Sequence, residues 1–175
     1  MNRRVLLVTG VPGVGKTTLI RRVAERLQGR VLGGFYTEEA REAGRRVGFR
    51  LVDFDGSSLT FAHVGNQGPR VSKYGVDVAA LDARAEALLA QHPDVAAYLV
   101  DEIGKMECLS PRFVAAMRRL LMSGCVVVAT VAKQGEGLIA EAKRLPGATL
   151  LEVTRANRDR LADEVLAWVE RAVAR

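Results

Sequence analysis

Short apolar runs alternate along this chain with stretches in which apolar residues recur every three or four positions. The short runs predict strands over Arg4–Thr9, Val31–Thr37, Ala97–Asp101, Cys125–Val131 and Thr149–Val153. The longer-period stretches predict helices over Lys16–Leu27, Val78–Gln91, Pro111–Met122, Leu138–Leu145 and Asn157–Val173. The strands are continuous Val/Leu/Ala runs, the pattern of a parallel sheet covered on both faces. Strand–helix alternation then gives a doubly wound α/β class with a mainly parallel sheet. One interval breaks the rhythm. Between Glu38 and Val64 two short strands are expected, around Val47–Asp53 and Ser58–Val64, joined at the turn residues Asp55-Gly56. They read as an antiparallel hairpin insert on the sheet edge. No repeat or low-complexity linker divides the chain, so residues 1–175 are expected to form one domain.

Gly10-Val11-Pro12-Gly13-Val14-Gly15-Lys16-Thr17 lies between the first strand and the first helix and matches G-x-x-x-x-G-K-[ST] at every fixed position. This Walker A loop says phosphate. Its glycines let successive backbone N–H groups turn inward around an anion, and the start of the helix, through Thr18, adds unpaired donors. Lys16 is expected to point into an open cleft and meet the β- and γ-phosphates, and the Thr17 hydroxyl to ligate Mg²⁺.

The second signal is Tyr98-Leu99-Val100-Asp101-Glu102, an apolar strand that ends in acids, as a Walker B element does. At the carboxyl end of a central strand Asp101 is placed to hold Mg²⁺, and Glu102 to polarise a water facing the γ-phosphate. Consecutive strand residues diverge, so the two acids are assigned different tasks. Asp101-Glu102-Ile103-Gly104 also fits D-x-x-G, in which the Gly104 N–H would sense the γ-phosphate. An Asn-Lys-x-Asp base reader is absent; Thr154-Arg155-Ala156-Asn157 follows the last strand without its aspartate, so base selectivity is expected to be loose.

Weaker candidates surround this pair. Lys105 and Glu107, which flank the magnesium carboxylate, are read either as organisers of the γ-phosphate or of the residues behind the metal site, or as a surface salt bridge. Arg41, Arg45, Arg46 and Arg50 read as a solvated basic turn in preference to an arginine finger. Arg70 and Lys73 fall in a loop where a mobile lid could sit. Lys133 follows a strand on the nucleotide edge, Trp168 reads as core, and His63 and His92 lack metal-ligand spacing.

Four stretches together resemble the small nucleoside-triphosphatases that include the thermostable archaeal and bacterial enzymes and the cancer-related nucleoside-triphosphatase. They are Gly10–Thr18, Gly34-Phe35-Tyr36-Thr37-Glu38-Glu39 running into Arg46-Val47-Gly48-Phe49, Arg70-Val71-Ser72-Lys73-Tyr74, and Val100-Asp101-Glu102-Ile103-Gly104-Lys105-Met106-Glu107. The family pattern carries glycine where this chain has Ser72. The resemblance implies a P-loop NTPase fold, RecA-like or kinase-like, and Mg²⁺-dependent hydrolysis of ATP, GTP, CTP and UTP to the diphosphate and phosphate. It also implies kinship to nucleotide and nucleic-acid kinases. A kinase passing the γ-phosphoryl group to another acceptor would use Lys16, Thr17 and Asp101 in the same way. A nucleotide-dependent switch is less favoured, because the guanine reader is missing.

Composition adds limits. The net charge is +6 and 21 of the 26 basic residues are arginine, but they spread along the whole chain among only nine aromatics. That charge is compatible with nucleic acid without pointing to a nucleic-acid groove. No apolar run approaches the ~20 residues of a membrane helix. Met1-Asn2-Arg3-Arg4 before Val5–Val8 superficially imitates a secretion signal, whose apolar part would be longer. Cys108 and Cys125 have no paired spacing and are expected to be free thiols in the cytoplasm, in a monomeric enzyme.

Overall fold

In the computed structural model, which describes residues 4–174, the strands are β1 (Val5–Thr9), β2 (Leu32–Glu42), β3 (Arg45–Asp53), β4 (Ser58–His63), β5 (Arg70–Val71), β6 (Tyr74–Val76), β7 (Ala97–Ile103), β8 (Val127–Val131) and β9 (Thr149–Glu152). The helices are α1 (Lys16–Arg26), α2 (Val78–Leu89), α3 (Pro111–Met122), α4 (Leu138–Lys143) and α5 (Arg158–Val173). The signal-like start Met1-Asn2-Arg3 lies outside the described residues. The strands form one sheet in the order β5-β6-β4-β3-β2-β7-β8-β1-β9. From β2 to β9 every pairing is parallel; from β2 to β5 every pairing is antiparallel.

Both faces of the parallel half are covered. Leu6 and Val8 of β1 and Val128 of β8 pack on one side with Leu19, Ile20 and Val23 of α1 and Val165 and Val169 of α5. Leu7, Val100 and Ala129 face the other side, with Leu81 of α2, Phe113 and Met117 of α3, and Ile139 of α4. Two-sided burial is why these strands are apolar without alternation. Two helix starts, those of α2 and α3, are sharply marked: the Asp77 carboxylate accepts from Ala80 N–H, and the Ser110 hydroxyl accepts from Phe113 N–H ahead of Pro111. Trp168 packs half-buried against the α1–α5 side, in keeping with its core assignment.

The antiparallel half is larger than the sequence pattern indicates. The hairpin turning at Asp55-Gly56 is present, but β2 runs to Glu42 instead of stopping at Thr37 and pairs with β3 from Phe35 to Glu42. The polar residues Glu38–Glu42 conceal this strand because their partners are charged, not apolar: Arg50 pairs with Glu38, and Arg41 and Arg46 with Glu39. Those ion pairs account for the basic turn; Arg45 stays exposed beside it. The expected lid at Arg70–Lys73 is corrected to a tight hairpin of β5 and β6. Arg70 Nη1 donates to Lys73 O at 2.7 Å, and Tyr74 is buried against Phe49. Ser72 closes this turn at φ +56°, a left-handed conformation that favours glycine, which explains the glycine of the family pattern.

Candidate active site

β1 delivers the phosphate loop at its carboxyl end. Gly10 leaves the strand against β9: a Cβ there would meet Val153 O at 2.8 Å and Val14 Cγ1 at 2.9 Å. Gly15 caps α1 at φ +116°, and α1 has neither a side-chain cap nor an acidic residue in its first turn. The N–H groups of that turn have no intrahelical partner, so the loop presents donors and the positive end of a dipole. Val11, Pro12 and Gly13 are exposed at the loop's crest, Val14 is buried beneath it, and Thr18 is exposed on the first turn.

Lys16 does not project into an open cleft as expected. Its side chain is only 10 % exposed; Nζ donates to Gly10 O at 2.9 Å and to Val11 O at 3.4 Å, and lies 3.9 Å from Glu102 Oε2. The ammonium, with three donors to satisfy, turns back along the loop toward carbonyl oxygens and the Glu102 carboxylate.

Asp101 is 2 % exposed although it sits near the end of β7. β8 lies between β7 and β1, so the carboxylate reaches the loop across an intervening strand. Four donors bring this about. Thr17 Oγ1 donates to Oδ2 at 2.7 Å, Thr37 Oγ1 and N–H donate to the same oxygen at 3.1 and 3.3 Å, and Thr130 Oγ1 donates to Oδ1 at 2.8 Å. Buried charge is tolerated here because every side of it is hydrogen-bonded.

Glu102 turns to different company, its Oε2 lying 3.9 Å from Lys16 Nζ. Burial raises its carboxyl pKa, the Lys16 ammonium opposes that shift, and the Asp101 charge adds to it. Gly104 is buried beside it and Lys105 is exposed. Glu107 is no surface salt bridge: it is buried at the start of a 3₁₀ turn (Glu107–Leu109), where burial, reinforced by the Glu102 charge, pushes its pKa up to about 8.

Among the described residues no three His, Cys, Asp or Glu side chains gather as a metal cage. The donor set at Asp101 and Thr17 is a carboxylate beside a hydroxyl, both hard oxygens. That pair fits Mg²⁺, which uses one or two carboxylates and completes its shell with phosphate oxygens and water. His63 instead accepts from Gly65 N–H within its own turn.

Thr130 and Thr37 were not singled out from the sequence as functional side chains. Thr130 could have been, as the one hydroxyl in the apolar run Val126–Val131. Arg158 is a further addition: its side chain lies along the phosphate loop, with Cδ 3.8 Å from where a Cβ on Gly15 would be. Lys133, expected on this edge, is tied to Glu152 at 2.8 Å. In the loop after β9, Asn157 Oδ1 accepts from Thr154 N–H and Nδ2 donates to Glu152 O, each at 2.8 Å.

A family model described as NTPase matches residues 5–166. The chain is 38 % identical over 166 residues to a nucleoside-triphosphatase THEP1 of Thermotoga sp. (strain RQ2), covering 93 % of each. It is 35 % identical to the human cancer-related nucleoside-triphosphatase, over 97 % of this chain and 98 % of that protein. The crystal structure of THEP1 from Aquifex aeolicus superposes with a TM-score of 0.86 at 36 % identity, covering 94 % of this chain and 98 % of that one. The solution structure of the human protein gives 0.83 at 34 % identity, over 96 % and 98 %.

Proposed function

The chain belongs to the NTPase family matched over residues 5–166, and on that premise we propose that it hydrolyses nucleoside 5'-triphosphates to the diphosphate and inorganic phosphate. The observation that carries this reading is the meeting of Lys16, Thr17, Asp101 and Glu102 at the carboxyl ends of β1 and β7. The triphosphate lies on the N–H groups of residues 13–18, its negative charge facing the start of α1. Lys16 exchanges its carbonyl partners for the β- and γ-phosphates, which are the stronger acceptors.

Thr17 and Asp101 would hold Mg²⁺, whose charge, when bound, offsets that of the phosphate oxygens during transfer. Thr37 and Thr130 keep Asp101 in place for that task. Glu102 takes the proton of the attacking water. A carboxylate whose pKa is raised by burial is a better base near neutral pH than a solvated one. The Lys16 ammonium opposes that rise by favouring the charged form.

Transfer to water, not to a second substrate, is favoured by the hydrolytic names of the relatives on both sides of the bacterial–human divide. The free thiols Cys108 and Cys125 suit a reducing cytoplasm, and burial pushes Cys108 up to about 12, which keeps it unreactive. No helix of the described residues is long and apolar enough to cross a membrane. The deciding experiment incubates the protein with Mg²⁺ and γ-labelled ATP together with a panel of nucleosides, nucleotides and 5'-hydroxyl oligonucleotides. Label is expected in inorganic phosphate. Label on an acceptor would make the protein a kinase.

A further inference from the structure

We propose that Glu107 is a positioning residue for Glu102, facing it across Gly104 and fixing the direction of its carboxylate. This inference rests on the reading of Glu102 as the base that activates water.

The chain between the two acids is held tightly. Cys108 N–H donates to Gly104 O at 3.0 Å and Ser110 N–H to Glu107 O at 3.1 Å, and Ser110 then caps α3. A Cβ built on Gly104 would fall 2.6 Å from Glu102 Oε1 and 2.7 Å from Glu107 Oε2. The two carboxyl groups therefore converge on one point, which glycine leaves free. The other oxygen of Glu102, Oε2, is the one that faces Lys16. Glu102 thus has a cation toward one oxygen and a carboxyl group toward the other.

Glu107 makes no ion pair among the described residues and is 5 % exposed. Burial, with the Glu102 and Asp101 charges in front of it, pushes it up to about 8, so at neutral pH it holds its proton. The backbone N–H groups of Glu107 and Gly104 oppose this shift without cancelling it. Cys108 in its own turn stays a thiol, and beyond Cys108 the Arg118 of α3 is paired with Glu141 of α4. Lys16 of α1 neighbours Glu102 instead. The two acids are thereby divided by environment, one beside the ammonium and one buried behind it, away from any cation among the described residues. A neutral acid is a hydrogen-bond donor, so Glu107 offers a proton toward Oε1, directly or through one water, and leaves Oε2 on the phosphate side. Once Glu107 ionises, two like charges face each other and Glu102 is no longer held.

The test compares ATP hydrolysis by Glu107→Leu, Glu107→Gln and Gly104→Ala with the unsubstituted protein from about pH 6 to about pH 9, alongside MgATP affinity and Tm. Glu107→Leu is expected to lower kcat about 10- to 100-fold at unchanged MgATP affinity. Glu107→Gln, which keeps a donor and cannot titrate, should restore kcat to within about threefold and abolish a fall in kcat that begins near pH 8 in the unsubstituted protein. Gly104 has an ordinary backbone conformation, so Gly104→Ala drives a methyl group between the carboxyls without backbone strain and should lower kcat as Glu107→Leu does. If Glu107→Leu does not fold, Gly104→Ala and the pH profile of Glu107→Gln carry the decision. Wild-type kcat in Glu107→Leu or Gly104→Ala, or an alkaline fall that persists in Glu107→Gln, overturns the inference. Glu102→Gln runs beside them: if it alone is inactive, only the role of Glu107 fails, and if it too is active, the reading of Glu102 fails.

Discussion

Thr17 Oγ1 donates a hydrogen bond to Asp101 Oδ2 at 2.7 Å, joining the first turn of α1 to the end of β7 across 84 positions of sequence. This bond places the two expected magnesium ligands side by side. Asp101→Asn would present an amide N–H₂ either toward Thr17 and Thr37, whose backbone N–H cannot accept, or toward Thr130, and in both cases threonine hydroxyls must reverse from donor to acceptor. We expect metal-dependent nucleotide affinity and turnover to be lost together, with a stability cost of about 1–3 kcal/mol. Nucleotide titrations with and without Mg²⁺, paired with urea unfolding, measure both. An Asp101→Asn protein that still gains affinity from Mg²⁺ would remove Asp101 from the metal.

Lys16→Ala separates binding from folding. The side chain bonds only to loop carbonyls and lies beside Glu102, outside both apolar packing layers. The variant is expected to unfold at nearly the same temperature as the unsubstituted protein. It should bind triphosphates more weakly and show no measurable turnover. Wild-type-like hydrolysis without Lys16 would exclude the loop from the chemistry.

The parallel half of the fold was legible in the sequence because its signals are local. Continuous apolar strands, the helical recurrence of apolar residues and the glycines of the loop each act within a few residues. Asp101, Glu102, Lys16 and Thr17 were legible because motif spacing stands in for geometry. What escaped is what only tertiary structure defines. The polar end of β2 is held by Arg–Glu pairs across strands, which leave no apolar period. Thr37 and Thr130 act through a single carboxylate on another strand. Glu107 was left open between the γ-phosphate, the residues behind the metal site and a surface ion pair, since burial of a charged residue type runs against its usual placement.

Base use should be broad. In the loop that follows β9, packed against the phosphate loop through Val153 and Gly10, the carboxamide of Asn157 is already engaged at both ends by Thr154 and Glu152. With those two bonds made and no aspartate in Thr154-Arg155-Ala156-Asn157, it is not set up to select one base. ATP, GTP, CTP and UTP are expected to give kcat/KM values within roughly a hundredfold of one another. A preference above ~10⁴ for one base needs a site built around that base's polar groups, and finding one would refute the assignment.

Glu102→Gln keeps the shape of the side chain and its proximity to Lys16 while removing the base. Affinity for Mg²⁺-nucleotide should be retained while kcat falls ~10²–10⁴-fold, the usual contribution of a positioned base. The contrast with Asp101→Asn is the informative part, because adjacent residues then fail in different ways. Equal loss of affinity in both variants would contradict the division of labour.

The last expectation concerns stability without nucleotide or metal. Glu107 has a folded-state pKa of about 8, raised from 4.5 first by burial and then by the Glu102 charge. Between those values the folded protein holds a proton that the unfolded chain has released. The unfolded state therefore binds fewer protons, and stability falls as pH rises. The contribution of Glu107 is fully present below its unfolded pKa and is lost as pH climbs through about 8. Glu102 is also raised by burial and adds to the same slope. Glu107→Gln removes the largest part of this linkage. Thermal unfolding at about pH 5 and about pH 9 should show a smaller drop in Tm for Glu107→Gln than for the unsubstituted protein. An equal drop in both would mean that Glu107 is ionised in the folded state, and that the acid facing Glu102 is not neutral.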